Sequence, residues 1–210
     1  MVNPQLPSRK AYFEVLAAEL PSEALVVTCL GNSSYLWAVV NDRSKNFYFE
    51  DAMGLALPFA LGLAAVQPDR RVVVVEGDGG LLMHMGALAS VGAVAPQNLT
   101  IILIQNGVHA ASGGQPLTNK ELDFAKLAQS LGVDQAQTVD NTDEFGGILR
   151  GALNRPGPEF IAASVEVDLQ VVRPPEPFNP VMTKVRFSRA IGAPRYIPTT
   201  FGGGGMESGD

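Results

Sequence analysis

The chain alternates between short, almost wholly apolar runs and longer stretches with helical spacing. The clearest runs are ALVVTCL (24–30), VVVVE (72–76), LTIILIQ (99–105) and EFIAASVEV (159–167), with the shorter NFYF (46–49) and the weaker QAQTV (135–139). A strand wetted on one face alternates apolar with polar residues. The strongest runs do not, so they are predicted to be buried on both faces, as strands of a parallel sheet are. Residues 10–20 carry Ala11, Phe13, Val15, Leu16 and Leu20 at helical spacing, and 52–66 are rich in small apolar residues. Residues 81–95, 119–131 and 142–153 complete the predicted helices. Strands alternating with helices of this length predict an α/β fold, a parallel sheet sandwiched by helices. Right-handed crossovers then bring the C-terminal ends of the strands to one edge, where such sheets bind ligands.

The pattern stops near Arg173. Beyond it lie Pro174, Pro175, Pro177, Pro180, Pro194 and Pro198, and the chain closes on FGGGGMESGD. The expected organisation is therefore a folded domain over 1–172 and a Pro/Gly-rich tail of extended chain over 173–210. That tail is either a surface segment or an arm laid on a partner subunit. Its basic residues Arg173, Lys184, Arg186 and Arg195 read as solvated surface charge.

Composition narrows the classes. A chain of 210 residues can bury roughly 70% of its unfolded surface, so its core needs no covalent staple. The single cysteine, Cys29, excludes an internal disulfide and reads as a plain buried thiol in its apolar run. A net charge of -6 gives no basic footprint for nucleic acid. MVNPQLPSRK has no signal-peptide core, and the longest apolar stretch, 54–66, contains Pro58 and is too short to span a bilayer. A cytoplasmic protein with no membrane association is expected.

Two apolar runs end abruptly in small and polar residues: Gly77-Asp78-Gly79-Gly80 after the first, Asn106-Gly107 after the second. Glycines let a ligand approach the backbone, and a helix starting near Gly80 would turn its free N–H groups towards an anion. An acidic side chain there would repel a diphosphate unless a cation lay between them. Mg²⁺ takes oxygen from a carboxylate, an amide and phosphate together. The pattern predicts a metal–diphosphate clamp on two neighbouring strands. It does not complete G-x-G-x-x-G, and no Gly-Lys-Ser/Thr follows, so neither a nicotinamide site nor a P-loop is indicated.

Gly77-Asp78-Gly79, followed after residues 80–105 by Asn106, resembles the thiamine diphosphate motif. GDGGLLMHMGAL and QNGVHAASGGQPLT are similar to segments of phosphonopyruvate and sulfopyruvate decarboxylases, and the resemblance extends over about 47–167. It implies a thiamine diphosphate-binding fold of the diphosphate (PP) type. It implies Mg²⁺ on Asp78, Asn106 and the Val108 carbonyl; Gln105 stands where the family usually has a first asparagine. Asp51-Ala52-Met53-Gly54 takes the place of the family's Gly-Ser-Met-Gly, which implies that Met53 wedges under the cofactor, with a carboxylate at Asp51 where a glycine is usual. The implied cofactor contacts are Asp51, Ala52, Met53, Gly77, Asp78, Gly79, Gly80, Asn106, Val108, His109 and Ala110. His109 stands where the family has His or Tyr and is the candidate catalytic residue. Ser112, Gly113, Gly114 and Gln115 continue a loop that could touch substrate or diphosphate. His84 reads as packing or capping.

The family's carboxylate that activates the aminopyrimidine comes from a pyrimidine-binding domain, and no such stretch exists in this sequence. Glu50 and Asp51 are the carboxylates near the wedge, and they sit on the wrong motif. The resemblance therefore implies half an active site: a split 2-oxo acid decarboxylase completed by a pyrimidine-binding subunit, expected as a heterotetramer. Three alternatives stay open: the beta subunit of a 2-oxo acid:ferredoxin oxidoreductase, a carboligase, and a non-catalytic cofactor-binding homologue.

Overall fold

The computed structural model describes residues 6–119, 121–173, 179–193, 196–197 and 205–206. In chain order the elements are α1 (Arg9–Glu19), β1 (Leu25–Thr28), α2 (Asn32–Asn41), β2 (Asn46–Tyr48), α3 (Ala56–Val66), β3 (Val72–Gly77), α4 (Asp78–Met83) and α5 (Gly86–Val94). There follow β4 (Leu99–Gln105), β5 (Val108–His109), β6 (Gln115–Pro116), α6 (Phe124–Ser130), β7 (Gln135–Val139), α7 (Thr142–Asn154) and β8 (Glu159–Ser164). Last come α8 (Pro180–Ala190) and the two-residue pair β9 (Tyr196–Ile197) and β10 (Gly205–Met206).

Six strands form one sheet in the order β2-β1-β3-β4-β8-β7, and every neighbouring pair is parallel. Val72 sits level with both Leu25 and Leu99, so β1, β3 and β4 finish near one another. The chain steps outward from β1 to β2 and then returns to β3 on the other side of β1. The β1–β3 boundary is thus the point where the strand order reverses, the usual ligand crevice of such sheets.

Both faces are covered, which is why the central strands are apolar throughout. Val27, Val72, Val74, Ile101 and Leu103 pack towards α3, α5, α6 and α8. Val26, Val73, Val75, Ile102 and Ile104 pack towards α1, α2 and α7. Edge-on aromatic pairs, Tyr12–Phe145 at 5.0 Å and Phe13–Trp37 at 5.7 Å, lock α1 to α7 and α2. Ala56, Ala60 and Ala64 line the buried side of α3, so its backbone lies close to the sheet.

The predicted elements are present; the helix expected over 52–66 begins at Ala56, and four further differences stand out. Helix α2 was not expected; its first residues are polar, but Ser34 is buried and its hydroxyl meets Thr28 Oγ1 at 2.6 Å and donates to the Cys29 carbonyl at 2.7 Å. The helix expected over 81–95 is two helices. The first starts on Asp78 itself, not near Gly80, and the break falls at His84 and Met85. Helix α6 starts at Phe124 because Asp123 caps it, accepting the Lys126 N–H at 3.0 Å.

The fourth difference corrects the reading of the tail. Residues 180–190 are not extended chain but helix α8, begun by Pro180 at its first turn and by the Asn179 side chain, which accepts the Met182 N–H at 3.1 Å. Phe187 is buried in the core, edge-on to Phe47 at 5.4 Å. Arg186, expected as solvated charge, forms a two-pronged bond to Asp42 at 2.8 and 2.7 Å, and Asp42 also accepts the Tyr48 hydroxyl at 2.8 Å. Burial alone would raise the Asp42 carboxyl; those bonds hold it below its ordinary value. Residues 174–178, 194–195, 198–204 and 207–210, where most of the tail's prolines and glycines fall, lie outside the described residues.

If α8 belongs to the core, Phe187→Ala should cost about 3 kcal/mol and lower Tm by roughly 6–12 °C. Calorimetric melting checks this; an unchanged Tm would show α8 to be dispensable.

Candidate active site

The site grows from three strand ends at the reversal point. β1 delivers Cys29, Leu30, Asn32 and Ser33; β3 delivers Glu76 to Gly80; β4 delivers Ile104 and Asn106. The β5–β6 hairpin folds over them, fastened by the Leu117 N–H to the Gly107 carbonyl at 3.0 Å. Together with Arg9, Met53 and residues 108–112 they enclose a cavity of about 180 Å³.

Asp78, only 2% exposed, is held on both oxygens. Oδ1 accepts the Gly79 N–H at 2.8 Å and Oδ2 accepts the Gly107 N–H at 2.7 Å, so the carboxylate bridges the ends of β3 and β4. Asn106 Oδ1 accepts the Val108 N–H at 3.1 Å, which turns the amide oxygen into the loop. Each of these oxygens keeps a free lone pair. Burial raises the Asp78 carboxyl above its ordinary value, against the pull of the Gly107, Gly79 and Asn106 N–H groups and of His109.

Glu76 is buried as well, and burial pushes its carboxyl up to about 7, against the Gly77 N–H bonded to it at 3.0 Å and the pull of the Leu57 and Ala56 N–H groups and the Cys29 thiol. Its Oε2 has no hydrogen-bond partner among the described residues. Cys29 is buried, as its apolar run predicts, and burial, then the Glu76 charge, pushes its thiol up to about 12.

Two buried carboxylates two residues apart on one cavity wall concentrate negative charge that a cation would offset. Among the described residues no group of three or more His, Cys, Asp or Glu can hold a metal. The available donors are instead all oxygens: the Asp78 carboxylate, the Asn106 amide and the Val108 carbonyl. That set suits a hard cation such as Mg²⁺.

Met53 and His109 converge on Gly79. A β-carbon there would lie 2.7 Å from the His109 ring and 3.2 Å from Met53 Cε. Gly54 has φ +77, and a β-carbon on it would meet the Gly80 carbonyl oxygen at 2.7 Å.

Of the residues singled out from the sequence, the cavity wall holds Met53, Gly77, Asp78, Gly79, Gly80, Asn106, Val108, His109, Ala110 and Ser112. Asp51 is exposed and Ala52 half-buried, and neither lines the wall; nor do Gly113, Gly114 and Gln115. His84 is exposed and ends α4, its backbone N–H bonded to the Gly80 and Leu81 carbonyls. Arg9, Glu76, Asn32 and Ser33 were missed. Glu76 did carry a signal, a carboxylate closing a run of valines. So did Gly31-Asn32-Ser33, which follow an apolar strand just as Gly77-Asp78-Gly79 do. Nothing local marks Arg9.

Residues 31–163 match the family model described as thiamine pyrophosphate enzyme, C-terminal TPP binding domain. The chain belongs to this family. As a thiamine pyrophosphate (diphosphate) enzyme domain it is 40% identical over 159 residues to a phosphonopyruvate decarboxylase of Streptomyces viridochromogenes, covering 76% of this chain and 40% of that protein. It is 30% identical over 195 residues to a sulfopyruvate decarboxylase subunit beta of Methanocaldococcus jannaschii, covering 88% of this chain and 97% of that subunit. The chain thus spans about two fifths of the first relative and nearly all of the second. Among solved structures, the thiamine diphosphate-dependent 4-hydroxybenzoylformate decarboxylase of Rhodococcus jostii superposes with a TM-score of 0.70 at 23% identity, covering 81% of this chain and 34% of that one. That likeness establishes the thiamine diphosphate-binding α/β fold.

The glycine contacts separate two effects. Gly54→Ala meets backbone at positive φ and should cost about 2 kcal/mol or more. Gly79→Ala meets the tip of a side chain and gains helix propensity, so it should cost less than about 1 kcal/mol while displacing His109. Thermal melts and the His109 ring resonances in NMR check both; equal melting of the two variants would refute the distinction.

Proposed function

We propose that this chain is the diphosphate-binding half of a split, Mg²⁺-dependent 2-oxo acid decarboxylase, acting on a small substrate of the phosphonopyruvate or sulfopyruvate kind. A separate pyrimidine-binding subunit completes the site, in a heterotetramer that works in the cytoplasm. The observation that carries this reading is the oxygen clamp of Asp78 and Asn106 at the strand ends, in a chain whose match covers 97% of a relative named as a beta subunit. Among the described residues no helix is long and apolar enough to cross a membrane.

Asp78 and Asn106 would hold the metal through their side chains and Val108 through its carbonyl. Gly77, Gly79 and Gly80 would leave the backbone open to the diphosphate. Met53 would support the cofactor from below, with Asp51 and Ala52 contributing only main chain, since their side chains lie off the wall. Thiamine diphosphate, when bound, supplies the electron sink that lets a 2-oxo acid lose carbon dioxide. Around it the protein excludes water and orients the substrate. His109, with Ala110 beside it, faces this space, and an imidazole there is suited to passing a proton to the product. Glu76 lies on the wall that would hold the diphosphate, its Oε1 bonded to the Gly77 N–H, and is not read as the carboxylate that activates the ring. That carboxylate is assigned to the partner.

Asp78→Ala should abolish Mg²⁺-dependent thiamine diphosphate binding, a loss of at least about 100-fold by calorimetric titration of the complex isolated from its own cells. Undiminished binding would remove the clamp from the reading. Native mass spectrometry of that preparation should show a second chain with cofactor retained; a homo-oligomer holding none would favour a non-catalytic homologue.

A further inference from the structure

The cavity contains one charged group that the reading above does not use. Arg9 is the first residue of α1, whose start is fixed twice. The Ser8 hydroxyl accepts the Ala11 N–H at 3.2 Å, and the Pro7 carbonyl accepts the Glu166 N–H at 3.1 Å. Val165 is bonded in turn to the Gln105 carbonyl at 3.0 Å. The entry to α1 is therefore tied, through the segment after β8, to the end of β4, beside the Asn106 loop. From there the Arg9 side chain forms part of the cavity wall together with Asn32, Asp78 and Ala110.

Among the described residues lining the cavity Arg9 is the only arginine or lysine. Its Nε is buried and lacks a hydrogen-bond partner. Desolvation disfavours the charge, while Cys29, Asp168 and Asp78 favour it through space. Among the described residues no hydrogen bond joins Arg9 to Asp78, whose oxygens accept the Gly79 and Gly107 N–H groups, and Asp168 lies exposed. A guanidinium placed this way is stable when an anion with several oxygens enters the cavity, because its planar fork matches phosphate oxygens.

We propose that Arg9 anchors the terminal phosphate of the bound diphosphate, completing from α1 the cradle that the strand ends begin. The inference rests on the thiamine diphosphate reading above. Charge balance favours it. A terminal phosphate carries up to about two negative charges at neutral pH, and a magnesium ion on Asp78 has part of its charge already matched by that carboxylate. The diphosphate then needs a further cation, and Arg9 supplies it.

The test uses Arg9→Gln and Arg9→Lys in the complex isolated from its own cells, titrated calorimetrically in Mg²⁺ with thiamine diphosphate and, separately, with thiamine monophosphate. Arg9→Gln should weaken the diphosphate roughly 10- to 100-fold and the monophosphate less than about threefold. Arg9→Lys should recover part of the loss, and should itself bind more weakly than wild type if Arg9→Gln fails to fold. Equal losses for both ligands would mean that Arg9 shapes the site without reading the terminal phosphate, and would overturn the proposal. Unchanged diphosphate binding would overturn it too; if KM then rose for a 2-oxo acid bearing a phosphonate or sulfonate, the guanidinium would belong to the substrate. Wild-type protein that took up neither thiamine phosphate would overturn the proposed function, and this inference with it. Tight wild-type binding that the variants leave intact overturns this inference alone.

Discussion

The site depends on the buried Glu76 carboxylate, whose Oε1 accepts the Gly77 N–H at 3.0 Å and which feels the N–H groups of Ala56 and Leu57 at the start of α3. The residue preceding α3, Leu55, offers no side-chain cap, and a helix start leaves several N–H groups unpaired. Glu76 acts on them from another element, and the positive end of the helix favours its negative charge. Beside it the turn before α3 packs on the start of α4: Gly54 sits against the Gly80 carbonyl, and Met53 rests on Gly79. Burial raises the Glu76 carboxyl to about 7 and leaves Oε2 without a partner among the described residues. Such local expense is typical of a functional site, where geometry is kept at the cost of stability.

Asp78 shows the same economy of parts. Its bond to the Gly107 N–H at 2.7 Å cross-links the loops after β3 and β4. The carboxylate is therefore aimed before any ligand arrives, and little reorganisation remains for binding. Parallel β3 and β4 end side by side, Gly77 level with Ile104, so the cross-link needs no long loop. The clamp is a consequence of sheet register, and the β5–β6 hairpin only closes over it.

The strands were legible because burial on both faces removes polar alternation, leaving runs such as Val72 to Val75 with no other reading. Helices α1 and α7 were legible by periodicity. Helix α2 was not, since Asn32, Ser33 and Ser34 look like a loop; Ser34 spends its hydroxyl on Thr28 and Cys29, which no local pattern shows. Helix α8 was hidden by the prolines around it, although Asn179-Pro180 is itself a helix start. At the site, Asp78 and Asn106 stood out because they end apolar runs. Glu76 and Arg9 act through contacts that only the topology creates, between β3 and α3 and between α1 and the strand ends. Asp51 was the reverse: its motif position could be read, but not that it would be exposed and off the cavity wall.

The charges on the wall also bear on why half a site is a coherent object. Asp78 and Glu76 are both buried, and Arg9 is the one arginine or lysine among the described residues lining the cavity. A diphosphate entering alone would add charge of the sign already in excess. Under the proposed function it must enter with its cation, which draws on Asp78 and Asn106 and relieves the carboxylate that burial disfavours. Asp78 is then committed to the metal, and Glu76 lies beside it on the same wall. Neither is read as activating the far end of the cofactor, and the side chains of Asp51 and Glu50 do not line the cavity. Under the proposed function, the sheet edge that anchors the diphosphate leaves the acid for the opposite end of the same molecule to the pyrimidine-binding partner.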